Sequence, residues 1–80
     1  MTTFERRLLT IAPGASRMPG DADWPRAIVL VTQGELELEG AGGTRARFGS
    51  GDLLWLDDVP LRALHNHGPG DVVLLGVFRA

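Results

Sequence analysis

The stretch GDLLWLDDVPLRALHN, from Gly51 to Asn66, decides the fold, because it holds two short apolar runs that are separated by turn residues. Gly51 is free to adopt a positive φ, and the aspartate that follows it can bond the main chain of the same turn, so a strand is expected to begin directly afterwards. Pro60 lacks an N–H and favours an extended residue before it, so a second strand begins there. The stretch therefore predicts two strands, Leu53 to Leu56 and Leu61 to Asn66.

The remainder of the chain repeats this pattern of short apolar runs. Eleven glycines and five prolines interrupt the 80 residues, and no run keeps a 3.6-residue period over the ten or more residues that a helix needs. We therefore predict one all-β domain spanning residues 1–80, with a long loop from Ala12 to Trp24. The other predicted strands are Phe4 to Ile11, Arg26 to Gln33, Glu35 to Glu39, Thr44 to Phe48 and Asp71 to Arg79.

Two glycine turns in this sequence resemble those of the cupins, which are double-stranded β-helix proteins. GELELEG at Gly34 to Gly40 is followed by FGSGD at Phe48 to Asp52, in the order in which that family has a Gly-Glu turn, a hairpin and a Gly-Asp turn. The resemblance extends from Pro13 to Val77. It implies a small cupin-type β-barrel with a jelly-roll-like arrangement of strands.

The first cupin motif, G-x5-H-x-H-x3,4-E-x6-G, loses its metal ligands in this sequence. When its last glycine is placed on Gly34, its glutamate falls on Ala27 and its two histidines fall on Asp23 and Asp21. The resemblance therefore implies a cupin without the usual metal ion, and we expect no other cofactor. Asp21 and Asp23 also stand beside Gly20 and Pro25, where aspartates commonly form turns.

The second motif, G-x5-P-x-G-x2-H-x3-N, keeps only its first and last residues, Gly51 and Asn66, and its histidine falls on Arg62. If Arg62 takes the inward orientation of that histidine, then Asn66 points inward too. A guanidinium inside the barrel needs a carboxylate or a bound anion, because an unpaired buried charge is costly. Asp21 or Asp23 is the candidate partner for an internal ion pair.

Three functional hypotheses follow from these residues. In the first, the barrel binds a small polar or anionic organic molecule through Arg62 and Asn66, with Trp24 and Trp55 at the mouth of the pocket. Core packing is the preferred alternative for both tryptophans. In the second, an isomerase, cyclase or lyase uses Asp21 or Asp23 as acid and base while Arg62 stabilises negative charge.

The third hypothesis is a metal-binding cupin with an unusual ligand set, drawn from Asp21, Asp23 and His65 or His67. In the register that turns Arg62 inward, however, both histidines point outward, where we expect them to be exposed or to cap a turn. Hydrolysis is not predicted, because the two serines lie in predicted turns without an evident base. Those serines are Ser16 and Ser50.

Three glutamates alternate with leucines in the predicted strand Glu35 to Glu39, so they share one face of it. Parallel side chains on one strand face do not converge on a cation, and a solvated face is the preferred interpretation. In the next strand Ala46 and Phe48 should face inward, while Arg45 and Arg47 face outward across from the glutamates. Such cross-strand pairs contribute ~0.2–1 kcal/mol each.

The charge balance and composition limit the partners. The formal net charge is −2 at pH 7, the eight basic residues are all arginine, and no basic cluster is present, so nucleic acid is not an expected partner. No apolar run approaches the ~20 residues of a membrane span, and the chain has no cysteine, so we expect a cytoplasmic protein. Ala27 to Val31 and Val72 to Val77 are apolar on both faces, which predicts a homodimer.

Overall fold

The computed structural model describes residues 3–18, 28–56 and 60–79, and within these ranges it contains eight β-strands and no helix. None of the described segments is a helix that would be long and apolar enough to cross a membrane. The strands are β1 (Phe4–Ile11), β2 (Ser16–Arg17), β3 (Ile28–Gln33), β4 (Glu35–Gly40), β5 (Arg45–Gly49), β6 (Leu53–Trp55), β7 (Leu61–His65) and β8 (Val72–Arg79). The predicted all-β class is confirmed.

The strands form two four-stranded antiparallel sheets that pack face to face. The first sheet has the order β1-β8-β3-β6, and the second has the order β2-β7-β4-β5. Apolar side chains from both sheets fill the space between them, as one face of each strand turns inward. This core consists of Ile11, Val29, Val31, Leu36, Leu38, Leu54, Leu56, Leu64, Val72 and Leu74.

The turn between β5 and β6 forms as its glycine and aspartate predict. Gly51 has φ 93°, and the Asp52 carboxylate accepts a hydrogen bond from the main-chain N–H of Gly49 at 2.7 Å. The N–H of Gly51 also donates to the carbonyl oxygen of Val31 at 2.8 Å. The turn is therefore tied to β3, which fixes where β6 joins the first sheet.

One strand, β2, lies inside the segment that the sequence predicts to be a loop. Ser16 and Arg17 pair with His65 and Leu64 of β7, and the N–H of Asn66 donates to the carbonyl oxygen of Ala15 at 3.0 Å. Two residues carry too little hydrophobic pattern to reveal a strand on their own. This strand forms because it pairs with β7, so the local sequence alone does not predict it.

The outer face of the first sheet carries one line of apolar side chains that crosses all four strands. Leu8 pairs with Leu75, Leu75 pairs with Leu30, and Leu30 pairs with Leu53. These four side chains form a leucine row perpendicular to the strands. Because the alternate residues of β3 and β8 belong to the core, the prediction that both strands are apolar on both faces is confirmed.

Gly34 provides a direct test of the turn between β3 and β4. Its φ is +84°, and a Cβ placed there would lie 2.7 Å from the carbonyl oxygen of Asp71 and 3.0 Å from Cγ2 of Val72. We expect Gly34→Ala to lower the free energy of unfolding by about 2–4 kcal/mol, since it adds left-handed strain to a main-chain clash. Urea unfolding followed by circular dichroism measures the change.

The matched control is Gly42→Ala, because a Cβ at Gly42 meets nothing within 4 Å and its φ is not in the left-handed range. We expect its free energy of unfolding to stay within about 1 kcal/mol of the wild type. Equal stability of the two variants would contradict the described geometry of the turn at Gly34.

Candidate functional site

A cavity of about 540 Å³ opens between the two sheets where β5 and β6 diverge. Its inner wall is formed by side chains of both sheets, because Leu38, Ala46 and Phe48 line it from the second sheet and Leu54 and Leu56 line it from the first. Volumes of 300–1,000 Å³ are typical of small-molecule pockets, so a ligand of modest size fits. The lining offers an apolar environment with few polar groups.

Trp55 stands at the rim of this cavity. Its side chain belongs to the lining, yet the residue is 72% exposed, because in β6 only Leu54 turns into the core. The preferred assignment of Trp55 to the core is therefore wrong, because most of the residue is exposed to solvent. Three further candidate site residues, Asp21, Asp23 and Trp24, lie outside the described residues.

Arg62 does not point into the barrel, and the prediction that it does is wrong. Ala63 pairs with Glu39 and Leu61 pairs with Gly40, so Arg62 is an extra residue in β7 at this point. Such a β-bulge turns the strand and redirects a side chain. The Arg62 side chain is 65% exposed, and its Nε lies 3.7 Å from Oε2 of Glu39 on the outer face.

Asn66 does point inward as predicted, and it is only 1% exposed. Its Nδ2 donates to the carbonyl oxygens of Ile11 and Gly70 at 2.9 and 2.8 Å, while its Oδ1 accepts from the N–H of Gly68 at 2.9 Å. Both amide hydrogens are therefore used by the main chain. Asn66 holds the turn after β7 in place, and its donors are not available to a ligand.

The outer face of the second sheet carries a polar cluster centred on two glutamates of β4. Glu37 is only 7% exposed, because Arg45 Nη1 donates to its Oε1 at 2.9 Å, Arg47 Nε donates to its Oε2 at 3.4 Å and His67 Nε2 lies 3.0 Å from Oε1. The predicted cross-strand pairing with arginines is confirmed. Glu37 is nevertheless covered, so this face is less solvated than expected.

Glu39 and His65 form the second half of the cluster. His65 Nε2 lies 2.8 Å from Oε1 of Glu39, and Arg45 and Arg62 approach the same carboxylate at 3.8 and 3.7 Å. On its other side the His65 ring contacts Ser16, with Oγ 2.6 Å from Nδ1. The histidine is thus on the outer face as predicted, but it is mostly covered by these neighbours.

Both central carboxylates are held in their ionised form. The hydrogen bond from His67 is the main cause that lowers the pKa of Glu37, and Arg45 adds to it against the opposing effect of burial. The hydrogen bond from His65 likewise lowers the pKa of Glu39, assisted by the charges of Arg45 and Arg62. A carboxylate that is ionised here has no hydrogen to donate, so it orients each imidazole by accepting from it.

The cluster does not have the form of a metal centre. Across residues 3–18, 28–56 and 60–79, no group of three or more His, Asp or Glu side chains has an arrangement that could hold a metal ion. The two imidazoles stack with centroids 5.6 Å apart, and each one uses Nε2 on a different glutamate. The Arg45 guanidinium lies between those glutamates, in the place where a shared cation would be needed.

A second pocket of about 670 Å³ lies beside the polar cluster, between β4, β5 and the turn that contains Gly68. Glu37, Arg47 and His67 contribute to its wall. These groups already bind one another, so a charged ligand would have to break existing ion pairs before it could bind. The apolar cavity between the sheets carries no such cost.

The lowered pKa values make a pH-dependent prediction. A carboxyl group whose pKa is lower in the folded state than its ordinary 4.5 adds stability above that value, and this stability is lost as the pH falls through the folded pKa. The free-energy difference between wild type and Glu37→Gln/Glu39→Gln should therefore be largest above the ordinary value of 4.5 and should shrink as the pH falls below it. Urea unfolding at several pH values measures it.

Glu35→Gln is the control on the same face, because the Glu35 side chain is 60% exposed and its contact with Arg47 is longer, at 3.5 Å. We expect this variant to show a much smaller dependence on pH over the same interval. A double variant with the same pH dependence as wild type would contradict the proposed role of the covered carboxylates.

Comparisons with known proteins agree with the two-sheet topology. No family model matches the sequence, and no curated protein matches it. A cupin 2 conserved barrel domain protein from Salinispora arenicola has a similar structure, with a TM-score of 0.74 and 25% identity over 92% of this chain. The chain spans 60% of the length of that protein.

Two further solved structures share the fold. A conserved double-stranded β-helix domain protein from Klebsiella pneumoniae has a TM-score of 0.73 and 20% identity, covering 100% of this chain and 70% of its own. A de novo designed double-stranded β-helix has a TM-score of 0.58 and 26% identity, covering 95% of this chain and 99% of its own. The chain therefore has the double-stranded β-helix fold of the cupin barrels.

Proposed function

We propose that this cupin-type protein binds a small, largely apolar organic molecule in the cavity between its sheets, and that it does so without a metal ion. The observation that carries the proposal is the cavity itself, about 540 Å³ in volume, which is open to solvent and lined mainly by apolar residues from both sheets. Burial of apolar surface supplies ~25 cal/mol per Å². Trp55 at the rim adds a flat aromatic surface for a ring of the ligand.

The exposed position of Arg62 changes the expected ligand class. An anionic molecule in the barrel was expected because a guanidinium was expected inside it, and the bulge places that group on the outer face instead. The amide hydrogens of Asn66 are also used by the main chain. An uncharged ligand is therefore favoured over a carboxylate. The acid–base hypothesis with Asp21 or Asp23 loses its electrostatic partner for the same reason.

A matched pair of aromatic probes tests this function. We expect 2-naphthol to bind more tightly than naphthalene-2-carboxylate, because the cavity lining pairs no cation with the carboxylate. Isothermal titration calorimetry in the presence of EDTA measures both affinities and tests the absence of a metal requirement. Ala46→Phe, which fills the cavity, should weaken 2-naphthol binding at least about 10-fold, a change of about 1.4 kcal/mol.

Ala12→Phe is the control variant, because Ala12 is exposed and is not part of the cavity lining. It should bind 2-naphthol as wild type does. Equal affinity of Ala46→Phe and wild type, or tighter binding of the carboxylate, would contradict binding in the cavity as proposed. Binding that disappears in EDTA would contradict metal independence.

We further propose that a second copy of this chain covers the leucine row on the first sheet, giving a homodimer. Leu8 and Leu53 at the two ends of the row are 71% and 67% exposed, and no charged side chain interrupts the row. Two-fold contacts bury the same surface on both subunits, so the row of one subunit would meet the same row of the other. The row and its neighbours make a smaller patch than the ~20–30 residues of a standard interface, so dissociation on dilution is expected.

Light scattering during size-exclusion chromatography tests the dimer. Wild type should elute with twice the 8.6 kDa mass of one chain at high micromolar concentration, and Leu8→Arg/Leu53→Arg should elute as a folded single chain, because buried charges oppose association. Met18→Arg is the control, since Met18 is an equally exposed apolar residue at 66% outside the row. A wild-type protein that stays monomeric, or a dimer that survives both row substitutions, would overturn the proposal.

A further inference from the structure

Ser16, His65 and Glu39 form a continuous hydrogen-bonded chain on the outer face of the second sheet. Ser16 Oγ lies 2.6 Å from His65 Nδ1, and His65 Nε2 lies 2.8 Å from Glu39 Oε1. A hydroxyl, an imidazole and a carboxylate linked in this order are the parts of an activated nucleophile, its base and the group that orients the base. The arrangement is separate from the cavity to which the function above is assigned.

The chain of contacts fixes the tautomer that such chemistry requires. The Glu39 carboxylate can only accept a hydrogen bond, so the neutral imidazole carries its hydrogen on Nε2 and leaves the Nδ1 lone pair facing Ser16. Glu39 is itself held by Arg45 and Arg62, at 3.8 and 3.7 Å. The base is therefore oriented by a carboxylate whose own position is constrained.

Exposure to solvent increases from Glu39 through His65 to Ser16, so the hydroxyl that would react is the most accessible of the three groups. The Glu39 and His65 side chains are only 12% and 16% exposed, whereas Ser16 is exposed. Among the described strands β2 is the edge of its sheet, next to β7 alone. An electrophile can therefore approach the hydroxyl from solvent while its base stays shielded.

The register of β2 also supplies a main-chain donor beside the hydroxyl. Ala15 accepts a hydrogen bond from the N–H of Asn66, and Ser16 is opposite His65, one position further along. Bonded and non-bonded pairs alternate along an antiparallel ladder, so the N–H of Ser16 points to the open edge of the sheet. An N–H at this place can stabilise the oxyanion of a carbonyl that Ser16 attacks.

We propose that Ser16 is a nucleophile for acyl transfer from activated esters, with His65 as its general base and Glu39 as the positioning residue. Ser16 Oγ forms a bond to the acyl carbon while its proton passes to His65 Nδ1, and the C–O bond to the leaving group breaks as that proton is transferred to the leaving oxygen. Water then attacks the acyl-serine with His65 as base. The products are an alcohol or phenol and a carboxylic acid, and free Ser16 is restored.

The direct test is acylation by p-nitrophenyl acetate, followed by intact-mass and peptide mass spectrometry together with p-nitrophenolate release. We expect one acetyl group on Ser16, with release abolished in Ser16→Ala and lowered about 100-fold or more in His65→Gln. Ser50→Ala is the matched control and should react as wild type does, because Ser50 Oγ donates only to the carbonyl oxygen of Thr32 at 3.2 Å. Acetylation of a histidine instead of Ser16 would overturn the proposal.

Two further measurements separate activation from structural effects. Glu39→Asp should retain more of the acylation rate than Glu39→Gln at equal thermal stability, since only the aspartate keeps the negative charge that stabilises the imidazolium formed when His65 takes the serine proton. The chain has no cysteine, so Ser16→Cys and Ser50→Cys each give a single thiol. Iodoacetamide should alkylate the thiol of Ser16→Cys at least about 10-fold faster at neutral pH, because a neighbouring imidazole promotes the thiolate. Equal alkylation rates would overturn the activation of position 16.

Discussion

The pairing of β4 with β7 is the constraint on which the rest of the structure depends. Leu38 lies opposite Leu64 and Glu37 lies opposite His65, so one register sends leucines into the core and charged groups to the outer face. A shift by one residue would exchange the two faces. Asn66 secures this register from inside, because its amide joins the end of β7 to Ile11 and Gly70.

The same pairing explains why the outer face carries a network and not isolated surface charges. Exposed ion pairs contribute little on their own, but Glu37 and Glu39 are mostly covered and each is bound by an imidazole and by arginines. No buried side-chain nitrogen or oxygen of the described residues lacks a hydrogen-bond partner. The network therefore holds the His65 ring rigidly, which is what an acid–base role for that ring would require.

Local features of the sequence predict much of this fold. The turn at Gly51 and the alternation of β4 and β5 depend on neighbouring residues, so they are visible in the sequence and are confirmed. The bulge at Arg62 and the short strand at Ser16 depend on how distant segments pair. No local sequence pattern predicts the bulge or the short strand. For that reason the predicted inward orientation of Arg62 is wrong.

The site was harder to predict than the fold for the same physical reason. His65 meets Glu39 and Ser16, which lie 26 and 49 residues away in sequence, and only the sheet register brings them together. Two imidazoles next to a run of glutamates were the available signal, but without the register they indicated surface groups. The family motif predicts a polar site in the barrel interior, whereas the structure has an apolar cavity between the sheets.

Thiol accessibility in single-cysteine variants tests most directly which side of β7 faces the core. The chain has no native cysteine, so Arg62→Cys and Leu64→Cys each report one position. The bulge predicts that the thiol of Arg62→Cys reacts with Ellman's reagent in native buffer as fast as an exposed thiol, while that of Leu64→Cys reacts only through unfolding. Equal protection of both thiols would show that Arg62 shares the inward face with Leu64, and it would contradict this account of the barrel.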